Sequence, residues 1–172
     1  MTENRVTERN DAIIQVRDLT NAFGSQVVHQ HLDLDVMRGE ILGIVGGSGT
    51  GKSVLLRSIV GLQRPTAGSV KVFGENLLSL SPERRSQVER RFGVLFQAGA
   101  LFSSLTVLEN IALPLIEHAG LSREEAERVA VVKLALAGLP IAAAYKYPES
   151  LSGGMVKRAA LTRALALEPE II

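Results

Sequence analysis

The sequence predicts an α/β chain in three parts: an antiparallel β layer, a parallel α/β core around a glycine-rich loop, and a helical subdomain. Three observations carry that expectation. In "HLDLDVM" apolar and polar residues alternate, so that Leu32, Leu34 and Val36 share one face of a half-buried strand while Asp33 and Asp35 share the other. In "EILGIVG" a continuous apolar run enters a glycine cluster and then "KSVLLRSIVG", the pattern of a strand buried on both faces, a tight loop and a helix. From about Ala98 to Leu167 strand signals stop and helical periods replace them.

Taken in order, "AIIQVRDL" reads as a first half-buried strand, paired with "HLDLDVM" in the antiparallel layer, and "GSVKVFG" returns to the same alternation. In "SPERRSQVERR" the proline follows Ser81, which places a helix start there, and "FGVLFQ" reads as a second buried strand. The helical part holds "TVLENIALPLIEH", then "SREEAERVAVVKLALAG", then a closing helix. Ser122 and Glu125 have capping-box spacing, and Gly138 supplies a stop. The expected organisation is one domain over 1–172, with the β layer and loop core at 12–97 and the helical subdomain at 98–167. No internal repeat or low-complexity tract interrupts it.

At 172 residues and 46% hydrophobic content the chain can build a core. Nineteen basic and 18 acidic side chains leave a net charge of +1, so nothing in the global charge favours DNA, RNA or an anionic membrane surface. There is no cysteine, which excludes disulfides and thiolate metal sites. The opening "MTENRVTERN" is polar with no apolar segment behind it, unlike a secretory signal, so the expected location is inside the cell. The longest helix-like apolar stretch, "VAVVKLALAGLPIAAA", is broken by Lys133, Gly138 and Pro140 and falls short of the roughly 18 apolar residues of a spanning helix. Any membrane contact is expected to run through a partner.

The glycine cluster is a phosphate loop. "GGSGTGKS", comprising Gly46, Gly47, Ser48, Gly49, Thr50, Gly51, Lys52 and Ser53, fits the pattern G-x-x-x-x-G-K-[ST] between a strand and a helix. Glycines let successive backbone N–H groups turn toward a phosphate chain, and the helix N-terminus adds positive potential. Lys52 is suited to reach the β- and γ-phosphates and the Ser53 hydroxyl to hold Mg²⁺. Nucleotide binding follows, but the same loop serves kinases, GTPases and motors.

Ser152, Gly153 and Gly154 open the closing helix, so a second helix N-terminus with free N–H groups stands about 100 residues after Lys52. Alone, "SGG" is most simply a serine N-cap with two small residues behind it. Taken with the phosphate loop and a lone Gln97 ending a buried strand between them, "LSGGM" (Leu151 to Met155) resembles the nucleotide-binding domain of ATP-binding cassette (ABC) transporters, from about Ile13 to the last residue. The resemblance implies a P-loop NTPase fold of ABC type. It implies ATP with Mg²⁺ as cofactors, held between two copies of the subunit arranged head to tail. It also implies that Phe23 stacks on adenine, that Gln97 touches Mg²⁺ and the attacking water, and that Ser152 to Gly154 grip the γ-phosphate of the opposite subunit. Met155 departs from the glutamine commonest in this signature, but the backbone N–H groups and Ser152 do not depend on its side chain. Lys157, Arg158 and Arg163 on the same helix read mostly as a solvated face.

"FQAGALFSSLTVLENIALPL" followed by "SGGMVKRAALTRALALEPE" is similar to the ATP-binding subunit of the bacterial phospholipid transporters that maintain outer-membrane lipid asymmetry, the Mla/MCE type. "GALF" and the signature methionine carry that likeness, and amino-acid importers, which share "LTVLEN", are the alternative. The implied partners are an integral membrane permease, met by the apolar segment Leu101 to Leu115, and a periplasmic lipid-binding subunit. The implied place is the cytoplasmic face of the inner membrane. DNA-associated ATPases use a similar sandwich but part the two sites by a long coiled coil, whereas no sustained heptads occur here, so no nucleic-acid partner is expected.

In the family the segment after "RALALEPEII" supplies an Asp for Mg²⁺ and a Glu that activates water, and a later strand supplies a histidine. None of these positions falls within the 172 residues. His29, His31 and His118 all precede the signature, and "HQH" reads as a strand-edge pair rather than a metal site. The sequence therefore reads as the front part of a longer ATPase that by itself would hydrolyse ATP negligibly; a nonhydrolytic nucleotide-binding chain is the other reading of the same ending.

Overall fold

The structure is a computed structural model that describes residues 11–172, so the polar opening segment lies outside the described residues. The chain divides into two compact units, one ending at Glu89 and the other beginning at Arg90.

The N-terminal unit is built on a four-stranded antiparallel sheet in the order β2-β1-β3-β4, with β1 at Ala12–Phe23, β2 at Gln26–Met37, β3 at Ala67–Val72 and β4 at Glu75–Asn76. Alternation holds in β2, where Leu32, Leu34 and Val36 are half-buried and Asp33 and Asp35 are exposed. In β1 the alternation breaks. Val16 and Leu19 are both fully buried although three residues apart, because the register shifts between them and Asp18 turns to a positive φ of 51°. The extra residue is a β-bulge, which keeps both halves of a long strand facing the same core. Asp33 Oδ1 accepts the Asp18 N–H at 2.7 Å, and His31 lies 2.5 Å from Asp18 Oδ1. His31 is thus a partner of the bulge, and no group of metal-ligating side chains occurs among the described residues.

Helix α1 spans Lys52–Ile59, directly after the glycine cluster, and α2 spans Pro82–Glu89 with the Ser81 hydroxyl accepting the Arg84 N–H at 3.3 Å. The strand expected at "EILGIVG" does not form. Residues 41–47 adopt no ladder, Ile41 is 100% exposed and Val45 92% exposed. An extended segment becomes a strand only when a neighbour exchanges backbone hydrogen bonds with it, and no described segment lies alongside this one.

The C-terminal unit contains α3 (Val107–Ala119), α4 (Arg123–Leu136) and α5 (Gly153–Ala164). Its core is formed by Val107, Leu108, Ile111 and Leu115 of α3, Ala126, Ala130 and Leu134 of α4, and Ala159 of α5. The expected capping box is present at Ser122 and Glu125, and a second one, at Thr106 and Glu109, starts α3. Gly138 follows α4 at φ 71°, the left-handed stop. "FGVLFQ" is likewise not a continuous strand: it pairs through one parallel bridge, Phe92 with Ile171, with the Gly93 N–H donating to the Ile171 carbonyl at 2.7 Å. The rest of that segment joins no ladder among the described residues. No helix among the described residues is long and apolar enough to cross a membrane.

Two outcomes follow for stability. Leu134 is completely buried, so Leu134→Ala should cost about 2–5 kcal/mol and lower the thermal unfolding midpoint. Thr106→Ala should cost about 1 kcal/mol by removing an N-cap. The Thr106 backbone N–H and then its hydroxyl hold the Glu109 carboxyl below its ordinary range. A carboxylate with a lowered folded-state pKa stabilises above its unfolded value and loses that contribution as pH falls through the folded value. The Thr106→Ala penalty should therefore shrink below about pH 4 in denaturant titrations.

Candidate functional site

The phosphate loop is shaped by its own backbone oxygens. Lys52, the first residue of α1, folds back so that its Nζ donates to the Gly46 carbonyl at 2.8 Å and the Gly47 carbonyl at 2.5 Å, while the Thr50 hydroxyl donates to the Gly47 carbonyl at 2.9 Å. The ammonium is thereby gathered into the mouth of the loop. Gly51, the N-cap of α1, has φ 89°, and a Cβ there would lie 2.4 Å from Val28 Cγ1 and 2.7 Å from His29 Nε2. Both the conformation and the space require glycine. Ser53 is exposed in the first turn of α1, next to Lys52. A neutral hydroxyl open to solvent suits Mg²⁺, which keeps several of its waters when bound beside phosphate. Phe23 ends β1 at the hairpin turn and is 46% exposed.

The second helix terminus is organised as the sequence predicts. Ser152 is the N-cap of α5, and its hydroxyl accepts the Met155 N–H at 3.4 Å. Ser152, Gly153 and Gly154 are exposed, and a Cβ at either glycine would meet nothing within 4 Å. Neither glycine has a positive φ. Nothing among the described residues therefore demands glycine at 153 and 154. Met155 is half-buried and packs against the helical core, so the departure from the common signature changes a side chain on the core side and leaves the exposed backbone as it was.

Gln97 is exposed in the turn that follows Phe96, where the Gly99 N–H donates to the Phe96 carbonyl at 2.8 Å. Sequence reasoning missed what holds this loop. Asn110, fully buried in α3, donates to the Phe102, Leu105 and Thr106 carbonyls and accepts the Phe102 N–H at 2.8 Å. Arg163 of α5 donates to the Gly99 carbonyl at 3.2 Å and to Asn110 Oδ1 at 3.4 Å, with its guanidinium 5.5 Å from the centre of the Phe102 ring. Burial pushes the Arg163 guanidinium below its ordinary pKa. Lys157 and Arg158 are exposed, as a solvated face requires, and Arg163 is the exception. No sequence signal sets it apart from the other two basic residues of the helix.

Phe23 and Gly46 to Ser53 thus belong to the N-terminal unit, and Gln97 and Ser152 to Gly154 to the C-terminal one. A groove of about 470 Å³ lined by Leu136, Ala137, Leu161 and Leu165 shares no residue with either set.

Residues 29–172 fit the family model described as ABC transporter. The probable ribonucleotide transport ATP-binding protein mkl of Mycobacterium leprae is 43% identical over 159 residues, covering 92% of this chain and 46% of that protein. The intermembrane phospholipid transport system ATP-binding protein MlaF of Escherichia coli K12 is 41% identical over 160 residues, covering 93% of this chain and 59% of that protein. The chain thus spans about half the length of the curated relatives it matches. Among solved structures, the dimeric ATP-binding cassette MJ0796, in a post-hydrolysis state with ADP and Pi, superposes with a TM-score of 0.81 at 33% identity, covering 91% of this chain and 70% of that one. Family model, relatives and fold agree, and the chain belongs to the ABC transporter family.

Proposed function

We propose that the chain is the nucleotide-binding part of an ABC transporter ATPase that couples ATP binding and hydrolysis to phospholipid transport across the cell envelope. The observation that carries the reading is the pair of exposed helix N-termini, one on the phosphate loop and one at Ser152 to Gly154, the second with glycines that nothing among the described residues explains. Their exposed backbone suits close approach by a phosphate bound on another copy. In this reading Gly46 to Gly51 cradle the phosphates with backbone N–H groups, Lys52 neutralises the β- and γ-phosphates, and Phe23 stacks on the base. Ser53 and Gln97 would hold Mg²⁺, which would supply neutralising positive charge to the phosphates. A head-to-tail pair of subunits then completes two sites by symmetry, and closure drives a permease in the membrane.

Phospholipid as cargo rests on the likeness to the MlaF proteins. The mkl proteins, named for ribonucleotide transport at 43% identity, support ribonucleotide as the second reading. The intact transporter in proteoliposomes separates them: ATP should drive transfer of labelled phospholipid, and ATP-dependent movement of labelled ribonucleotide without lipid transfer would replace the first reading by the second.

Two substitutions test the site. Lys52→Ala should weaken Mg-ATP binding by about 30- to 100-fold, the loss of one charge-assisted interaction, measured by calorimetry on the intact protein. Gly153→Asp should leave Mg-ATP binding to a single subunit unchanged but abolish the ATP-dependent dimer in light scattering, because a carboxylate then faces the γ-phosphate. A Gly153→Asp protein that still dimerises with ATP overturns the shared-site arrangement.

A further inference from the structure

A polar cluster lies beside the phosphate loop that the roles above do not use. Asn21 of β1 and Ser58 of α1 are each 1% exposed. Asn21 Nδ2 lies 3.2 Å from Ser58 Oγ and 3.2 Å from His29 Nδ1 on β2, and the Ser58 hydroxyl donates to the Val54 carbonyl of its own helix at 3.0 Å. Ser58 Oγ also lies 3.3 Å from Asn21 Oδ1, so its hydroxyl faces both that oxygen and the Val54 carbonyl, while Asn21 Nδ2 is within hydrogen-bond reach of both Ser58 and His29. An amide nitrogen only donates, so His29 Nδ1 is the acceptor in that contact, and the other ring nitrogen, Nε2, lies on the far edge of the imidazole. That Nε2 is the atom 2.7 Å from where a Gly51 Cβ would stand.

The ring edge, with the Val28 methyl beside it, therefore fills the space where a side chain on the residue before Lys52 would stand, and Asn21 holds the ring from its other side. β1, β2 and α1 meet through the cluster, and Gly51 is where the chain turns from loop to helix, its carbonyl accepting the Leu55 N–H at 2.9 Å. Buried polar groups cost desolvation that apolar side chains would avoid, and what they return is one fixed arrangement of the elements they join.

We propose that His29 is a positioning residue for the phosphate loop. Its imidazole, fixed by Asn21, sets the backbone of Gly51 and thereby aims Lys52 and the loop N–H groups at the phosphates. The inference rests on the reading of the loop as a nucleotide site.

The experiment is Mg-ATP calorimetry and steady-state ATPase kinetics on the intact protein carrying His29→Leu, His29→Gln, Asn21→Ala and, as a control, Lys52→Ala. His29→Leu keeps the volume and removes both nitrogens; it should weaken Mg-ATP binding about tenfold and raise KM with kcat preserved. His29→Gln keeps an amide at the Gly51 edge and should restore binding to within about threefold of the parent. Asn21→Ala frees the ring and should lose affinity comparably, and combined with His29→Leu it should add little, since both act through one contact. A His29→Leu loss below about threefold, or a loss that His29→Gln does not repair, overturns the proposal. If His29→Leu does not fold, Asn21→Ala carries the same threshold. If the parent protein binds no Mg-ATP, the nucleotide reading itself falls; if Lys52→Ala loses binding while His29→Leu retains it, only the role of His29 does.

Discussion

Gly51 fixes where three parts of the N-terminal unit meet. Its backbone is left-handed, and the space a side chain would need is filled by Val28 and His29 of β2. The loop therefore rests directly on the sheet, and α1 begins at a height above β2 that no larger residue would permit. Lys52 and Ser53 inherit their positions from that contact, because they are the first residues after it. The sheet is in turn held in register by β1, which pairs with both β2 and β3 and keeps Val16 and Leu19 at zero exposure across its bulge.

Each unit also contains one completely buried asparagine next to a functional segment. Asn21 ties β1 to β2 and α1 beside the phosphate loop, and the Asn110 amide nitrogen sits among the Phe102, Leu105 and Thr106 carbonyls, at 3.0–3.1 Å from each, on the segment that leads away from Gln97. Among the described residues no buried side-chain polar atom lacks a partner. An irregular segment has no ladder to satisfy its backbone, and an amide, with two donors and an acceptor, can substitute for one at a single point. The two positions differ in what they organise: the first links regular elements, the second closes a loop on itself.

Features set by local chemistry were legible in the sequence. The Ser122 and Glu125 box, the stop at Gly138, the alternation in β2 and the Ser152 cap need only residues a few positions apart, and all stand where the pattern puts them. The bulge at Asp18 was not legible, since it answers to cross-strand partners such as Asp33 rather than to its neighbours in sequence. The apolar runs at 41–46 and 92–96 gave the composition of strands, but a strand is a property of two segments, and composition speaks for one. Arg163 and Asn110 read as ordinary helix residues because long-range pairing gives them their place, and nothing in helical spacing tells a guanidinium facing water from one lying over Phe102.

Helix α5 carries Ser152 at its start and Arg163 near its end, 12 residues that at 1.5 Å each make a rod about 18 Å long. Arg163 grips the Gly99 carbonyl and the Phe102 ring on the segment that follows Gln97. The rod has no glycine or proline between its second residue and its last to absorb a bend. A tilt of about 10° imposed at the serine end would displace the arginine end by about 3 Å, as much as the length of the hydrogen bond it makes. The helix is in that sense a lever with its handle in solvent and its far end bolted to the loop, and because Ala159 packs in the core between the two, a force at one terminus reaches the other only by carrying the core with it.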